Sequence, residues 1–343
     1  MAPRPDVPST LREHRQAAGL TQAELAMRAG VSRQLVAAVE AGLNTPGVDA
    51  AMRLAHSLEC KVEDLFTPAA DEALPALGGT LPDGALVRSG RVGDRLVACQ
   101  LADHGTAGAV WARPDGVFER GRLHLFPGTL PAGFVLAGCD PALGIAEAEL
   151  GALGAGRLLA LPASTGAALR ALAQGRIHGA VVHGPEDGLP DPPVPVAAYQ
   201  LARWEVGVAA SPALADRELE SLLQGEIPVV QRDQTAASQQ ALDRAAARRG
   251  LALPAGPVAS GHIEAARTAA MLGAAAVTTE SAAHAFGMCF HSLERHTVQI
   301  WIGREWEGHP TLALLGDLLA GTAFTSRVGR LGGYDLDGCG ELI

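Results

Sequence analysis

Arg33 and Gln34 stand side by side just after Ser32, at the start of a short segment whose apolar residues recur at helical spacing. These two side-chain types pair bidentately with guanine and adenine edges in the major groove, so their place at a helix start points to base reading. A second set lies far along the chain: Cys139 and Asp140, Ser164 and Thr165, His183, Arg232, Thr235, Ser238 and Gln239, His262, and Thr278 and Thr279. Each falls where a strand-like apolar run ends or an Ala-rich helical run begins. At such junctions hydroxyls and unpaired backbone N–H groups accept an anion or a polar metabolite. Arg232 is the cation among them. It either clasps an oxyanion or carboxylate bidentately or forms a salt bridge to Asp233 or Asp243. For His183 and His262 a ligand contact and a satisfied internal polar group are both open.

Other chemistries fit less well. His284, His291 and His296 fall near Cys289 and Glu294, a set of types that suits first-row metals. Their separations of seven and five residues do not share one helical face, and Gly287 is expected to end the helix between them, so no metal site is expected. Cys139 and Ser164 lie near helix starts without an identifiable paired base, which argues against nucleophilic catalysis. Neither an enzyme nor a bound cofactor is expected.

The base-reading pair needs a frame of short helices, and the sequence supplies one. Thr21 is placed to cap a helix carrying Leu25, Ala26 and Ala29 on one face, Gly30 to form a left-handed corner, and Ser32 to cap a second helix with Leu35, Val36 and Val39 inward. Arg33, Gln34 and Ala37 then face out. A helix with Leu11 precedes, with Arg12 and Arg15 on its open side; the loop with Asn44 and Thr45 follows, then helices over Val48 to Leu58 and Val62 to Phe66. From about Ser9 to Phe66 the chain resembles the Cro/C1-type (XRE) helix-turn-helix family, in Gln22 and Glu24, the Gly30-Val31-Ser32 turn, and Glu40-Ala41-Gly42. The expected partner is double-stranded operator DNA, with Arg12, Arg15, Thr21, Gln22, Ser32, Arg33, Gln34, Ala37, Asn44 and Thr45 as contact candidates. Seven basic residues in this region, Arg4 to Lys61, face eight acids, so phosphate attraction is modest and a homodimer reading two half-sites is expected.

At 343 residues the chain exceeds one such module several-fold. Its 48% hydrophobic and 19% charged residues support a large core, and the net charge of −10 lies mostly outside the DNA-reading region, which keeps the remainder off nucleic acid. No apolar run approaches a membrane span and the first residues carry no basic, hydrophobic signal, so a cytoplasmic protein is expected. Five cysteines without a CxxC pair suggest buried thiols. Lys61 is the single lysine, which rules out lysine chemistry in the C-terminal part.

Three domains are expected: 1-67 helical, 68-130 a linker with a small β-rich subdomain, and 131-343 an α/β domain. Thr67 to Thr80, rich in Ala, Pro and Gly, reads as linker. Short strands are expected at Ala85 to Val87, Arg95 to Gln100, Ala109 to Ala112, Val117 to Glu119 and Arg122 to Phe126 in an antiparallel unit, with a turn at Pro114-Asp115-Gly116. Beyond Pro131, strand-like runs such as Trp204 to Ala209 and Gln299 to Ile302 alternate with helices such as Thr165 to Ala173, the pattern of a parallel sheet covered on both sides. The stretches Ala137 to Leu143, Leu161 to Gly184, Gly261 to Val277 and Leu331 to Asp335 look like the periplasmic-binding-protein-like domain found behind helix-turn-helix modules and related to molybdate-binding proteins. That resemblance implies a two-lobed type II fold over about Pro131 to Gly340, with about Val206 to Ser281 as the inserted lobe. Relatives carry an Arg-x-x-Gly-Ser-Gly-Thr-Arg segment where this chain keeps Arg232 and has Thr235-Ala236-Ala237-Ser238-Gln239. An oxyanion such as molybdate or tungstate and a different small polar or anionic effector both stay open. The expected function is ligand-responsive transcription control; the competing readings are a DNA-tethered enzyme and an architectural or antitoxin-like DNA binder that recruits a protein.

Overall fold

The computed structural model describes residues 10–66, 71–101, 113–154, 157–224, 227–253 and 255–343. The chain divides into two compact units, Met1–Asp71 and Glu72–Ile343. In the first, five helices form: α1 (Leu11–Ala17), α2 (Gln22–Ala29), α3 (Arg33–Glu40), α4 (Val48–Ser57) and α5 (Val62–Leu65). Thr21 caps α2 in a reciprocal box with Glu24, Gly30 takes φ 62° at the corner, and the Ser32 hydroxyl accepts from the Leu35 N–H at 3.1 Å. The corner requires glycine because a side chain strains that conformation. Leu11, Leu25, Val36, Leu54 and Leu65 are fully buried together, the apolar stripes of successive helices closing on one core.

The second unit opens with β1 (Asp71–Pro75), β2 (Ala85–Val92), β3 (Arg95–Gln100), β4 (Gly116–Glu119) and β5 (Arg122–Leu125), a closed barrel in the order β1-β3-β2-β4-β5. Two expectations are corrected here. Part of the supposed linker is β1, which pairs parallel to β3 through Ala73 and Leu96, so the unit is not purely antiparallel. Asp115 makes no turn tip: its N–H reaches the Val87 carbonyl, and its buried carboxylate accepts from the Ser89 N–H and pairs with Arg157. The strand expected at Ala109 to Ala112 lies outside the described residues.

The α/β part then runs β6 (Phe134–Gly138), α6 (Ala142–Ala152), β7 (Leu158–Pro162), α7 (Thr165–Ala173), β8 (Gly179–Gly184), β9 (Val196–Ala210), α8 (Leu219–Leu223), β10 (Val229–Arg232), α9 (Ala237–Arg248), β11 (Val258–Ala259), α10 (His262–Leu272), β12 (Ala275–Thr279), α11 (Glu280–Ala285), β13 (Cys289–Gly303), α12 (Pro310–Ala320), α13 (Thr322–Gly329) and β14 (Tyr334–Asp335). Strand order is β11-β10-β12-β9-β13-β8-β6-β7, with β14 on β9. The sheet is mixed rather than parallel, because β9 runs antiparallel to β12 and β13 antiparallel to both β9 and β8.

β9 and β13 run through two lobes. Val206 to Ala210 pairs with β12 in one lobe, whereas Thr297 to Ile302 pairs with β8 in the other. Separate cores back each lobe: Phe134, Leu136 and Ile300 on one face of the first and Val135, Leu159 and Val182 on the other; Val230, Ala266 and Ala276 on one face of the second and Val229, Leu242 and Val277 on the other. The inserted lobe therefore extends past Ser281 into the first half of β13. Register breaks between Ser292 and Glu294 mark the crossing, beside the paired Trp204 and His296.

Candidate functional site

Ser32 and its cap project Arg33 and Gln34 from the first turn of α3 into solvent, with Ala37 one turn on and Asn44 and Thr45 exposed in the following loop. Arg12 is 58% exposed. Arg15 departs from expectation. Its Nε donates to Glu40 Oε1 at 2.6 Å and its Nη1 to the Leu20 carbonyl at 2.6 Å, while Gln22 Nε2 donates to Glu40 Oε2 at 2.9 Å. Arg15 is thus a strut between α1 and the end of α3, not a free phosphate contact, and Gln22 braces the same carboxylate from α2. Burial pushes the Glu40 carboxyl up, but hydrogen bonds from Arg15 and Gln22 and the charges of Arg15 and Arg12 outweigh it and hold it below its ordinary value.

Between the lobes, the strand-to-helix junctions face one another. Cys139 and Asp140 follow β6, Ser164 and Thr165 follow β7, and His183 ends β8; from the other lobe come Arg232 at the end of β10, Thr235 and Ser238 around the start of α9, and His262 opening α10. Ser164 Oγ lies 3.3 Å from Thr235 Oγ1, a direct contact between lobes. A cavity of about 310 Å³ reaches Thr165, His183 and Thr235, and another of about 520 Å³ reaches Cys139, Asp140 and His262 with Arg88 and Gln100 of the barrel on its wall.

Arg232 is 1% exposed and forms neither of the two salt bridges considered from sequence. Its Nε donates to the Ala259 carbonyl at 3.0 Å and its Nη2 to the Ser260 carbonyl at 2.9 Å; Nη1 has no hydrogen-bond partner. Both ring nitrogens of His262, Ser238 Oγ and Thr165 Oγ1 are likewise buried without partners. Burial pushes His262 and His183 well below the usual imidazole range, assisted by the Arg232 charge, so both are neutral. Burial also pushes the Cys139 thiol up to about 11 and lowers Arg232 from its ordinary value.

Other expected contacts are already spent inside the protein. Asp140 accepts from the Ala142 N–H, Trp204 Nε1 and the Tyr334 hydroxyl, each at 2.8 Å, and positions the rings rather than meeting a ligand. Gln239 Oε1 accepts from the Arg232 N–H at 2.8 Å, Thr278 Oγ1 donates to the His262 carbonyl at 2.9 Å, and Thr279 caps α11. Trp204, Tyr334 and His296 were not foreseen in the cleft; they reach it across 64, 194 and 113 residues from their partners, a separation with no local signal. Of the His/Cys/Glu group considered from sequence, His296 keeps Glu294, whose Oε1 lies 2.8 Å from its Nε2, and turns its Nδ1 to within 2.8 Å of His183 Nδ1.

A short cap-and-corner helix pair followed by a two-lobed α/β domain defines a class, the DNA-reading protein with a ligand-binding domain. A helix-turn-helix family model matches residues 11–65 and a PBP superfamily domain model matches residues 149–320. An HTH-type transcriptional regulator of Methanothermobacter thermautotrophicus is 47% identical over 57 residues, 16% of this chain and 83% of that protein. Another from Methanocaldococcus jannaschii is 39% identical over 62 residues, 18% of this chain and 94% of the relative. Among solved structures, a putative phosphate ABC transporter substrate-binding protein with bound phosphate from Clostridium perfringens is 8% identical, covering 59% of this chain and 98% of that one, with a TM-score of 0.45. The chain belongs to the HTH-type transcriptional regulators of the XRE family, with a PBP superfamily domain as its ligand-binding part. No helix among the described residues is long and apolar enough to cross a membrane.

Proposed function

We propose that this regulator binds operator DNA as a homodimer in the cytoplasm and takes a small anionic or polar effector between its two lobes, without turning it over. One observation carries the reading: Arg232 Nη1, both His262 nitrogens, Ser238 Oγ and Thr165 Oγ1 are buried and unpaired at facing junctions of the lobes. Unmet buried polar groups are costly, and a ligand that meets them stabilises the closed form over the open one. That differential affinity is what shifts DNA occupancy. The balanced charge of the reading module supports pairing of two copies, since one copy has little phosphate attraction to draw on.

The test uses the full chain and a thermal-shift panel of molybdate, tungstate, phosphate and small carboxylates, followed by electrophoretic shifts on promoter DNA from its own locus. At least one anion is expected to raise Tm and change operator retention. Arg232→Ala is expected to weaken that anion by about 2 kcal/mol or more while leaving basal DNA binding intact. An unresponsive panel together with unaltered retention would sink the reading.

A further inference from the structure

Among the described residues, Cys139, His183 and His262 are the one set of His, Cys and carboxylate side chains whose ligand atoms all lie close together, within 4.8 Å. A hydrogen-bond relay behind them fixes which atom His183 presents. Glu294 is paired with Arg244 and accepts from His296 Nε2, so His296 Nδ1 is the acceptor and His183 Nδ1 the donor across their 2.8 Å contact. His183 Nε2 is thereby left with its lone pair toward the cluster. A carboxylate acting through an imidazole in this way is the outer support that orients metal-binding histidines. His262 adds the second sign: a 1% exposed ring with neither nitrogen paired, its backbone held by Thr278.

We propose that Cys139 Sγ, His183 Nε2 and one nitrogen of His262 bind a thiolate-preferring divalent cation, Zn²⁺ in the first instance, leaving a fourth position open. On binding, the S–Zn bond replaces the Cys139 S–H bond and the proton leaves to solvent. The Arg232 guanidinium beside the sulfur makes a bare dication unfavourable there. An anion in the fourth position, paired with Arg232 Nη1, offsets that charge. The metal and the anionic effector then form one composite ligand. Cys139 and His183 belong to the first lobe and His262 to the second, and a tetrahedral site needs its donor atoms about 3.3–3.5 Å apart, so the ion draws the lobes together. This inference deepens the sensing role proposed above and takes its regulatory meaning from it.

The full chain, stripped with a chelator, is titrated with Co²⁺ as a spectroscopic probe and then with Zn²⁺ in competition. We expect one equivalent per chain, a sulfur-to-cobalt charge-transfer band, and loss of the band in Cys139→Ser. His262→Gln and His183→Gln should weaken Zn²⁺ by about 100-fold or more. Circular dichroism checks that each variant is folded, and if Cys139→Ser is not, the two histidine variants decide. No thiolate band, or Zn²⁺ affinity unchanged in the folded histidine variants, overturns the metal site. The failure modes separate cleanly: an anion that binds and alters operator retention in chelator-stripped protein removes the metal while leaving the sensor, whereas Zn²⁺ bound as described with anions and operator both indifferent removes the sensor.

Discussion

At the scale of single residues, the two functions differ in how openly their chemistry is displayed. Arg33 and Gln34 are exposed and hold no side-chain hydrogen bond or ion pair among the described residues, so replacing both with Ala should leave the melting temperature unchanged. Operator discrimination should fall by about 1–3 kcal/mol for each base left unread. Competition shifts against scrambled DNA measure it, and retained discrimination would show that another face of the module reads the bases. This pair was legible because a cap and a periodicity place it within a few residues. The cleft was legible only in part. Arg232, His183 and His262 could be named from their junctions, but that Arg232 ignores Asp233 and Asp243 in favour of the Ala259 and Ser260 carbonyls depends on β11 lying beside β10. No spacing in sequence encodes that neighbour.

At the scale of elements, Glu40 shows how one carboxylate joins three helices. Its side chain has no solvent exposure and receives Arg15 from α1 and Gln22 from α2 while closing α3. Removing one partner of a buried pair strands the other, so Glu40→Ala should destabilise the module by about 3 kcal/mol in denaturant titration; a change near zero would mean the pair is spectator to packing. Because the folded carboxyl sits below its unfolded value of about 4.3, this contribution is complete above that pH and fades as pH falls through the lower folded value. Glu40→Gln should flatten the acid limb of the stability curve, and an identical limb in both proteins would assign acid sensitivity elsewhere. Elements with strong periodicity, such as α7 at Thr165–Ala173, were expected with the bounds observed. The 15-residue β9 and β13 were foreseen only as short strands over their most apolar parts. Their other parts carry Arg203, Glu294 and Arg295, polar residues that a strand tolerates at a crossing where one lobe's sheet ends and the other's begins.

At the scale of the molecule, the lobes stand close enough that a single methyl matters. A Cβ at Gly166 would come within 2.7 Å of Thr235 in the opposite lobe. Gly166→Ala therefore acts as a wedge: overpacking of this size costs about 1–3 kcal/mol. Affinity for whichever panel anion raises Tm should drop about tenfold by calorimetry. Undiminished affinity would place the effector away from the closed cleft. The shared strands carry a further consequence. Since β9 and β13 each run, with a shift of register, from one lobe into the other, neither lobe has a complete sheet of its own, and cutting between them would leave two frayed halves instead of two domains. The two lobes are thus cut from one piece of cloth: each borrows from the same two strands the edge that completes its sheet.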